Sequence, residues 1–423
     1  MNIFPSKPQF KQIDPVIFND INIVCLDNGI PVYMINAGTE DILRVEFIFS
    51  AGYINESQPL LASSTNLMLT EGSQQHSAAT INKLLDYYGT YHSLYTERDK
   101  AGLVLYFMNR YSEKVLELAK EILFKPLFPE HELKSMMNKR LRWFIINREK
   151  VQNLANDRFY ELIFGDNHPY GKKINESDFE KLNVSLLKKF HNAFYNADSM
   201  AIIVSGNIRS DTLFQLNKTF NTEIIPKKHI VEKRLPVKSM DEKQTHIKKK
   251  DAVQTAIRIG STTINKRNSD YPGLKIADTI LGGYFGSRLM KNIREEKGLT
   301  YGIYSMVSSL NLTGYKMISA EVSKKFTQNA IDEIYKEIYE LQAHPVSFSE
   351  LEVVRNYMLG EMIRMFDGPF ALAEAFRSVW EFGLDNNYYK NMISTIKTIS
   401  PDEIMHLAKT YYKTDELFQV TAG

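Results

Sequence analysis

The sequence is short of several things that would narrow its function. It has a single cysteine, Cys25, in 423 residues, so no internal disulfide can form and nothing implies an oxidising compartment. No run of about 18 uninterrupted apolar residues occurs, so no transmembrane helix is expected. Residues 1–8 read MNIFPSKP. They lack the basic start and apolar core of a secretory signal, which makes the cytoplasm the expected compartment. Neither charge sign is in excess, with 52 Lys and Arg against 50 Asp and Glu; nothing in bulk points to nucleic acid or to a membrane surface as a partner. A dinucleotide fingerprint is missing too, because Gly282, Gly283 and Gly286 have the wrong spacing for G-x-G-x-x-G. Cys25 has no motif around it, and Ser, His and Asp do not cluster as a triad would require.

What is present is ordinary globular material, 43% apolar and 24% charged, in a chain too long for one core. It contains a repeat. Phe194-Tyr195-Asn196-Ala197-Asp198 corresponds to Tyr411-Tyr412-Lys413-Thr414-Asp415. Each is followed by an apolar run ending in glycine, at Gly206 and at Gly423, 217 residues apart. Upstream, Leu182-Asn183-Val184 matches Ile399-Ser400-Pro401, each opening a helix with a small polar cap. A period this long means a duplicated lobe, whereas a solenoid repeats every 20–50 residues or so. The expected division is 1–225 for an N-terminal lobe, 226–244 for a linker and 245–423 for a C-terminal lobe. Pro226 to Lys250 carries nine Lys and Arg and two prolines, the composition of an extended, solvated connector.

Strands are expected at Ile21–Leu26, Pro31–Ile35 and Arg44–Phe49, with Asp27-Asn28-Gly29 turning the first into the second. Gln254–Gly260 is the counterpart of the third strand. Helical periodicity marks Leu60–Met68, Ser112–Phe124, Glu130–Asn147, Gln328–Leu341 and Ser349–Arg364. The predicted class is α+β: two homologous lobes, each with helices packed on a mainly antiparallel sheet.

Leu61-Ala62-Ser63-Ser64-Thr65-Asn66-Leu67-Met68-Leu69-Thr70-Glu71-Gly72-Ser73 resembles the zinc helix of the pitrilysin family of metallopeptidases, which includes insulin-degrading enzyme and mitochondrial processing peptidase. Active members carry H-x-x-E-H there. Two His at i and i+4 lie on one helical face and reach one Zn²⁺, and the Glu activates the bound water. Ser63 stands at the first His position, Asn66 at the Glu and Leu67 at the second His. The resemblance places a third ligand, a Glu, near Trp143, but no Asp or Glu lies between Leu133 and Arg148. No metal site is therefore expected on this chain. His168, beside Pro169 in a turn, is expected to be structural.

A second motif is retained. Arg294-Glu295-Glu296-Lys297-Gly298-Leu299-Thr300-Tyr301 resembles the family's second-lobe signature R-E-x-x-G-L-x-Y. The resemblance implies that Arg294 and Tyr301 face a zinc site across a cleft, hold the substrate backbone and stabilise the tetrahedral intermediate. Locally, a helix carrying Arg294 should stop at Gly298, and Tyr301 should start a strand that brings its hydroxyl back beside the guanidinium. Without the motif, an arginine paired with a neighbouring Glu and a tyrosine packed in the core would explain both residues.

By resemblance the lobes form half of a clamshell, and three functions remain open. The first is the zinc-less subunit of a heterodimeric peptidase, supplying Arg294 and Tyr301 to a zinc-bearing homologue that acts on peptides. The second is a proteolytically silent structural or peptide-binding protein, and the third is an enzyme of unrelated chemistry.

Overall fold

The computed structural model describes residues 21–222 and 236–423. Eleven strands are present among them: β1 Asn22–Cys25, β2 Pro31–Asn36, β3 Ile42–Phe49, β4 Tyr91–Thr96, β5 Ala101–Met108, β6 Met200–Gly206, β7 Gln244–Ile247, β8 Gln254–Thr263, β9 Thr300–Ser309, β10 Gly314–Ser323 and β11 Phe418–Ala422. They form two sheets, ordered β1-β2-β6-β3-β5-β4 and β7-β11-β8-β10-β9. With the extra β1 set aside, the two orders match strand for strand. The match extends to direction: β2 runs parallel to β6 as β7 does to β11, while β3 and β8 lie antiparallel to both neighbours.

The first half contributes helices α1 Leu61–Leu67, α2 Ala78–Tyr87, α3 Ser112–Phe124, α4 Glu130–Arg148, α5 Val151–Phe164, α6 Asp178–Lys181, α7 Val184–Phe194 and α8 Thr212–Phe220. The second contributes α9 Tyr271–Asp278, α10 Thr327–Ala343, α11 Phe348–Met365, α12 Pro369–Trp380, α13 Asn387–Thr398 and α14 Pro401–Tyr411. The expected caps are in place. The Asn183 side chain accepts from the Leu186 N–H at 3.0 Å, and Ser400 with Glu403 completes a capping box on α14.

Each sheet buries one face under helices of its own half. The other face is covered by a helix from the opposite half. On α5, Ala155, Phe159 and Leu162 pack against Ala256, Met317, Phe418 and Val420 of the second sheet. In return Ala373 and Phe376 of α12 pack against Ile35, Ile48 and Ile203 of the first. This exchange also buries charge: Arg44 and Glu46 of β3 are 2% and 0% exposed. They lie on the α12 side and satisfy each other, Arg44 Nη2 to Glu46 Oε2 at 2.7 Å.

The solvated-connector expectation is modified. Residues 223–235 lie outside the described residues. Beyond them, Val237 and Met240 pack against the α5 layer and the Met240 N–H bonds Leu162 O at 2.8 Å. Cys25, expected in an apolar run, is exposed. No helix among the described residues is long and apolar enough to cross a membrane.

Candidate functional site

The helix that resembles a zinc helix is α1. It is entered through Leu60, which holds a left-handed φ of 72°. An unpaired N–H at the helix start is satisfied by Glu56, whose Oε2 accepts from Ala62 N at 3.1 Å. Burial pushes the Glu56 carboxyl up to about 7. Polar side chains of α1 at and beside the motif positions make other contacts. Asn66 Nδ2 donates to the carbonyl of Tyr95, to Thr96 Oγ1 at 3.1 Å and to Gly102 O at 3.4 Å, tying α1 to β4 and β5. Ser63 Oγ and Ser64 Oγ accept from the Arg140 guanidinium at 2.9 and 2.7 Å. Leu67 is 41% exposed and Trp143 68%.

This surrounding forms a cavity of about 600 Å³ lined by Ser63, Arg98, Arg140, Trp143 and Tyr160, among others. A zinc ion does not fit it. The only side-chain oxygens that α1 offers at the ligand positions are neutral hydroxyls already bonded to a guanidinium, and that fixed cation repels a dication. Among the described residues no group of three or more His, Cys, Asp or Glu is placed to hold a metal ion. His168 is buried in its turn; its Nδ1 accepts from the Tyr170 N–H at 3.1 Å.

The second motif lies on a π-helical turn, Met290–Glu296, that leads into β9. Gly298 ends it with φ +61°, the left-handed conformation expected of that position. The Leu299 N–H closes back on Ile293 O at 2.9 Å. Arg294 is partly buried, and its guanidinium stacks on Phe285, 4.7 Å from the ring centroid. Tyr301 is 90% exposed. The expected contact between the two is not made: no hydrogen bond joins Tyr301 to Arg294 among the described residues, and Phe285 takes the place of the hydroxyl against the guanidinium. Among the described residues Arg294 pairs with no acid, and Tyr301 does not pack in the core.

The cause of the exposure is local. On β9, Ile303, Ser305 and Val307 are buried while Tyr304 and Met306 are exposed. Strict alternation would put Tyr301 with the buried set. The register instead slips. Ile303 pairs with Ala320 and Thr300 with Val322, so Tyr301 and Gly302 together oppose Glu321. This β-bulge turns Tyr301 outward. Thr300 fixes it, its Oγ1 donating to Glu321 O at 2.6 Å and accepting from the Gly302 N–H at 3.2 Å.

Sequence reasoning missed Arg140 and Glu56. Arg140 was findable: it sits one helical turn before position 143, inside the acid-free stretch of α4. Glu56 precedes α1 and carries no motif signal.

Comparison with known proteins gives a consistent result. Residues 181–358 match the family described as Peptidase M16 inactive domain. The chain is 24% identical over 79% of its length, and 82% of the relative's, to "Uncharacterized zinc protease YmxG" of Bacillus subtilis. It is 21% identical over 86% of its length and 84% of the relative's to "Non-peptidase homolog YmxG" of Helicobacter pylori. Its fold is similar to the crystal structure of a peptidase M16 inactive domain from Pseudomonas fluorescens, with TM-score 0.88, 22% identity and coverage of 96% and 98% of the two chains. It is also similar to a Helicobacter pylori protease, with TM-score 0.86, 16% identity and coverage of 96% and 100%.

Proposed function

We propose that this chain, which belongs to the pitrilysin-like peptidase M16 family as an inactive homologue, is the zinc-less subunit of a heterodimeric peptidase. In this reading its partner is a zinc-bearing homologue and its substrates are peptides. It closes the peptide chamber and presents Arg294 and Tyr301 to the partner's zinc site.

One observation carries the reading. A tyrosine that strand periodicity would bury is turned into solvent by a bulge, and Arg294, on the π-helical turn that leads into the same strand, has no acidic partner among the described residues. Bulges of this kind re-aim side chains beside active sites. Peptide hydrolysis at zinc passes through a tetrahedral oxyanion, and donors on the opposite wall stabilise it. A guanidinium and a phenol are suited to that, one by charge and one by a directed O–H. Because Arg294 and Tyr301 do not bond each other, their donors remain available to a substrate. The relative named a non-peptidase homolog fits a chain that is inactive alone.

The test is reconstitution with the zinc-bearing homologue, comparing wild type with Arg294→Ala and Tyr301→Phe. Turnover should fall about tenfold to a thousandfold in each variant while the dimer still assembles. Unchanged turnover in both would leave the chain as a proteolytically silent structural or peptide-binding partner.

A further inference from the structure

We infer that the cavity at the degenerate zinc helix is a carboxylate-binding site on peptides, with Arg140 standing where the resemblance puts the metal.

The argument begins with an unbalanced cation. Arg140 is partly buried, and burial lowers its pKa, opposed only in part by Tyr53 and Glu56. Its recorded hydrogen bonds go to two neutral hydroxyls, Ser63 Oγ and Ser64 Oγ. No carboxylate lies within 4 Å of it among the described residues. A guanidinium has five N–H donors in a planar fork that matches a carboxylate edge to edge, and two such bonds leave capacity unused. A buried guanidinium without an acid is costly, so an incoming anion would relieve an existing penalty.

The rest of the cavity has the same bias. Arg98, over the Tyr160 ring at 4.6 Å, and Lys172 also line it, with no acid within 4 Å of either among the described residues. Of the lining carboxylates, Glu97 is held by Arg377. Glu56 is engaged by the Ala62 N–H, and Asp157, which feels the charge of Lys173, forms no ion pair within 4 Å among the described residues. Trp143, Phe144, Tyr160 and Pro59 add aromatic and apolar surface to the lining, suited to the chain of a peptide. The site therefore takes an acid carried on a peptide, either the terminal carboxylate or an Asp or Glu side chain.

This inference concerns the first lobe alone and does not rest on a partner subunit. It is tested on the purified full chain by calorimetric titration with three acetylated hexapeptides. The first lacks acidic side chains and ends in a free carboxylate; the second is its C-terminal amide; the third is the amide with one central Asp. The first or the third should bind at least about tenfold more tightly than the second, and whichever does so identifies the source of the carboxylate. Arg140→Gln should abolish that difference. Ser63→Glu guards against misfolding: it places an internal carboxylate beside Arg140, and should abolish the difference while leaving the unfolding midpoint equal or higher. Equal binding of all three peptides, or discrimination that survives in either variant, would overturn the proposal.

Discussion

Replacing Arg377 by alanine should undock α12 from the first sheet more severely than any change at the rim of that contact. The Arg377 side chain is mostly buried, with Nε 3.2 Å from Glu46 Oε1 and 2.9 Å from Glu381 Oε1, and Nη2 2.6 Å from Glu97 Oε2. Its guanidinium also lies 4.3 Å from the Tyr95 ring centroid. Burial opposes its charge, but Tyr95 and the three carboxylates more than compensate and hold its pKa above the ordinary arginine value. Removing one partner of a buried pair costs about 3–5 kcal/mol, because the other charge is stranded. Here Arg44 still faces Glu46 at 2.7 Å, which places the expected loss near the lower end, about 3 kcal/mol. Glu97 is half exposed, so Glu97→Gln should cost less than about 1 kcal/mol. Urea unfolding followed by tryptophan fluorescence suits the comparison, since Trp380 lies on the same helix and packs edge-on to Tyr33 at 5.4 Å. If Arg377→Ala loses no more stability than Glu97→Gln, the interlobe ion cluster does not hold the halves together.

Three further outcomes are expected. Asn66→Glu, which restores the residue type of active relatives by resemblance, should destabilise the fold by about 2–4 kcal/mol in thermal melts: a carboxylate cannot donate to the carbonyls of Tyr95 and Gly102 that Asn66 now serves. Burial lowers the pKa of Lys316 to about 8 from 10.5. Between those values the unfolded chain binds more protons than the folded one, so stability rises with pH across that window, by up to about 3 kcal/mol from this group. Lys316→Met should therefore gain stability over wild type at pH 7.5 and lose most of that advantage by pH 9.5, whereas a constant difference would refute the assignment. Dialysed protein should hold far less than one zinc per chain and hydrolyse no peptide alone. One tightly bound zinc lost on mutation of the α1 cavity would contradict the misfit argued above.

The strands β1, β2, β3 and β8 and the helices α1, α3, α4, α10 and α11 were readable because they rest on local signals. Ser112–Phe124 and the Asn183 and Ser400 caps fall where periodicity and capping chemistry put them. The packing partner of each sheet's second face was not readable. Nothing in Arg44-Val45-Glu46 says that a helix more than 300 residues later buries its charged positions, because burial of a strand face is decided by tertiary contact. The site was half legible. Motif spacing singled out Ser63, Asn66, Leu67, Arg294 and Tyr301 as candidates, but it could not show that Asn66 is a strut between α1 and β4. The bulge at Tyr301 depends on how β9 pairs with β10, a relation between two strands that one strand's sequence does not contain.

The two lobes also differ in a way that bears on how one could lose a site while the other kept a motif. The edge strand of the first sheet, β4, has six residues; its counterpart β9 has ten. Pairing of β4 starts at Tyr91 opposite Tyr106. β9 continues further toward the π-helical turn, and that added stretch holds the bulge and Tyr301. In the first lobe, α1 meets the edge strand through Asn66, whose amide fills the space with hydrogen bonds to carbonyl groups. Asn66 is thereby part of the lobe's packing. In the second lobe α9 meets the edge strand through Asp278, which accepts from Ser305 Oγ on β9, and Thr300 fixes the bulge further along that strand without covering Tyr301. Stability and exposure are thus assigned to different residues in the second lobe and to the same residues in the first. Tyr301 therefore projects without bracing the core of its lobe, whereas Asn66 is buried in the contact it braces.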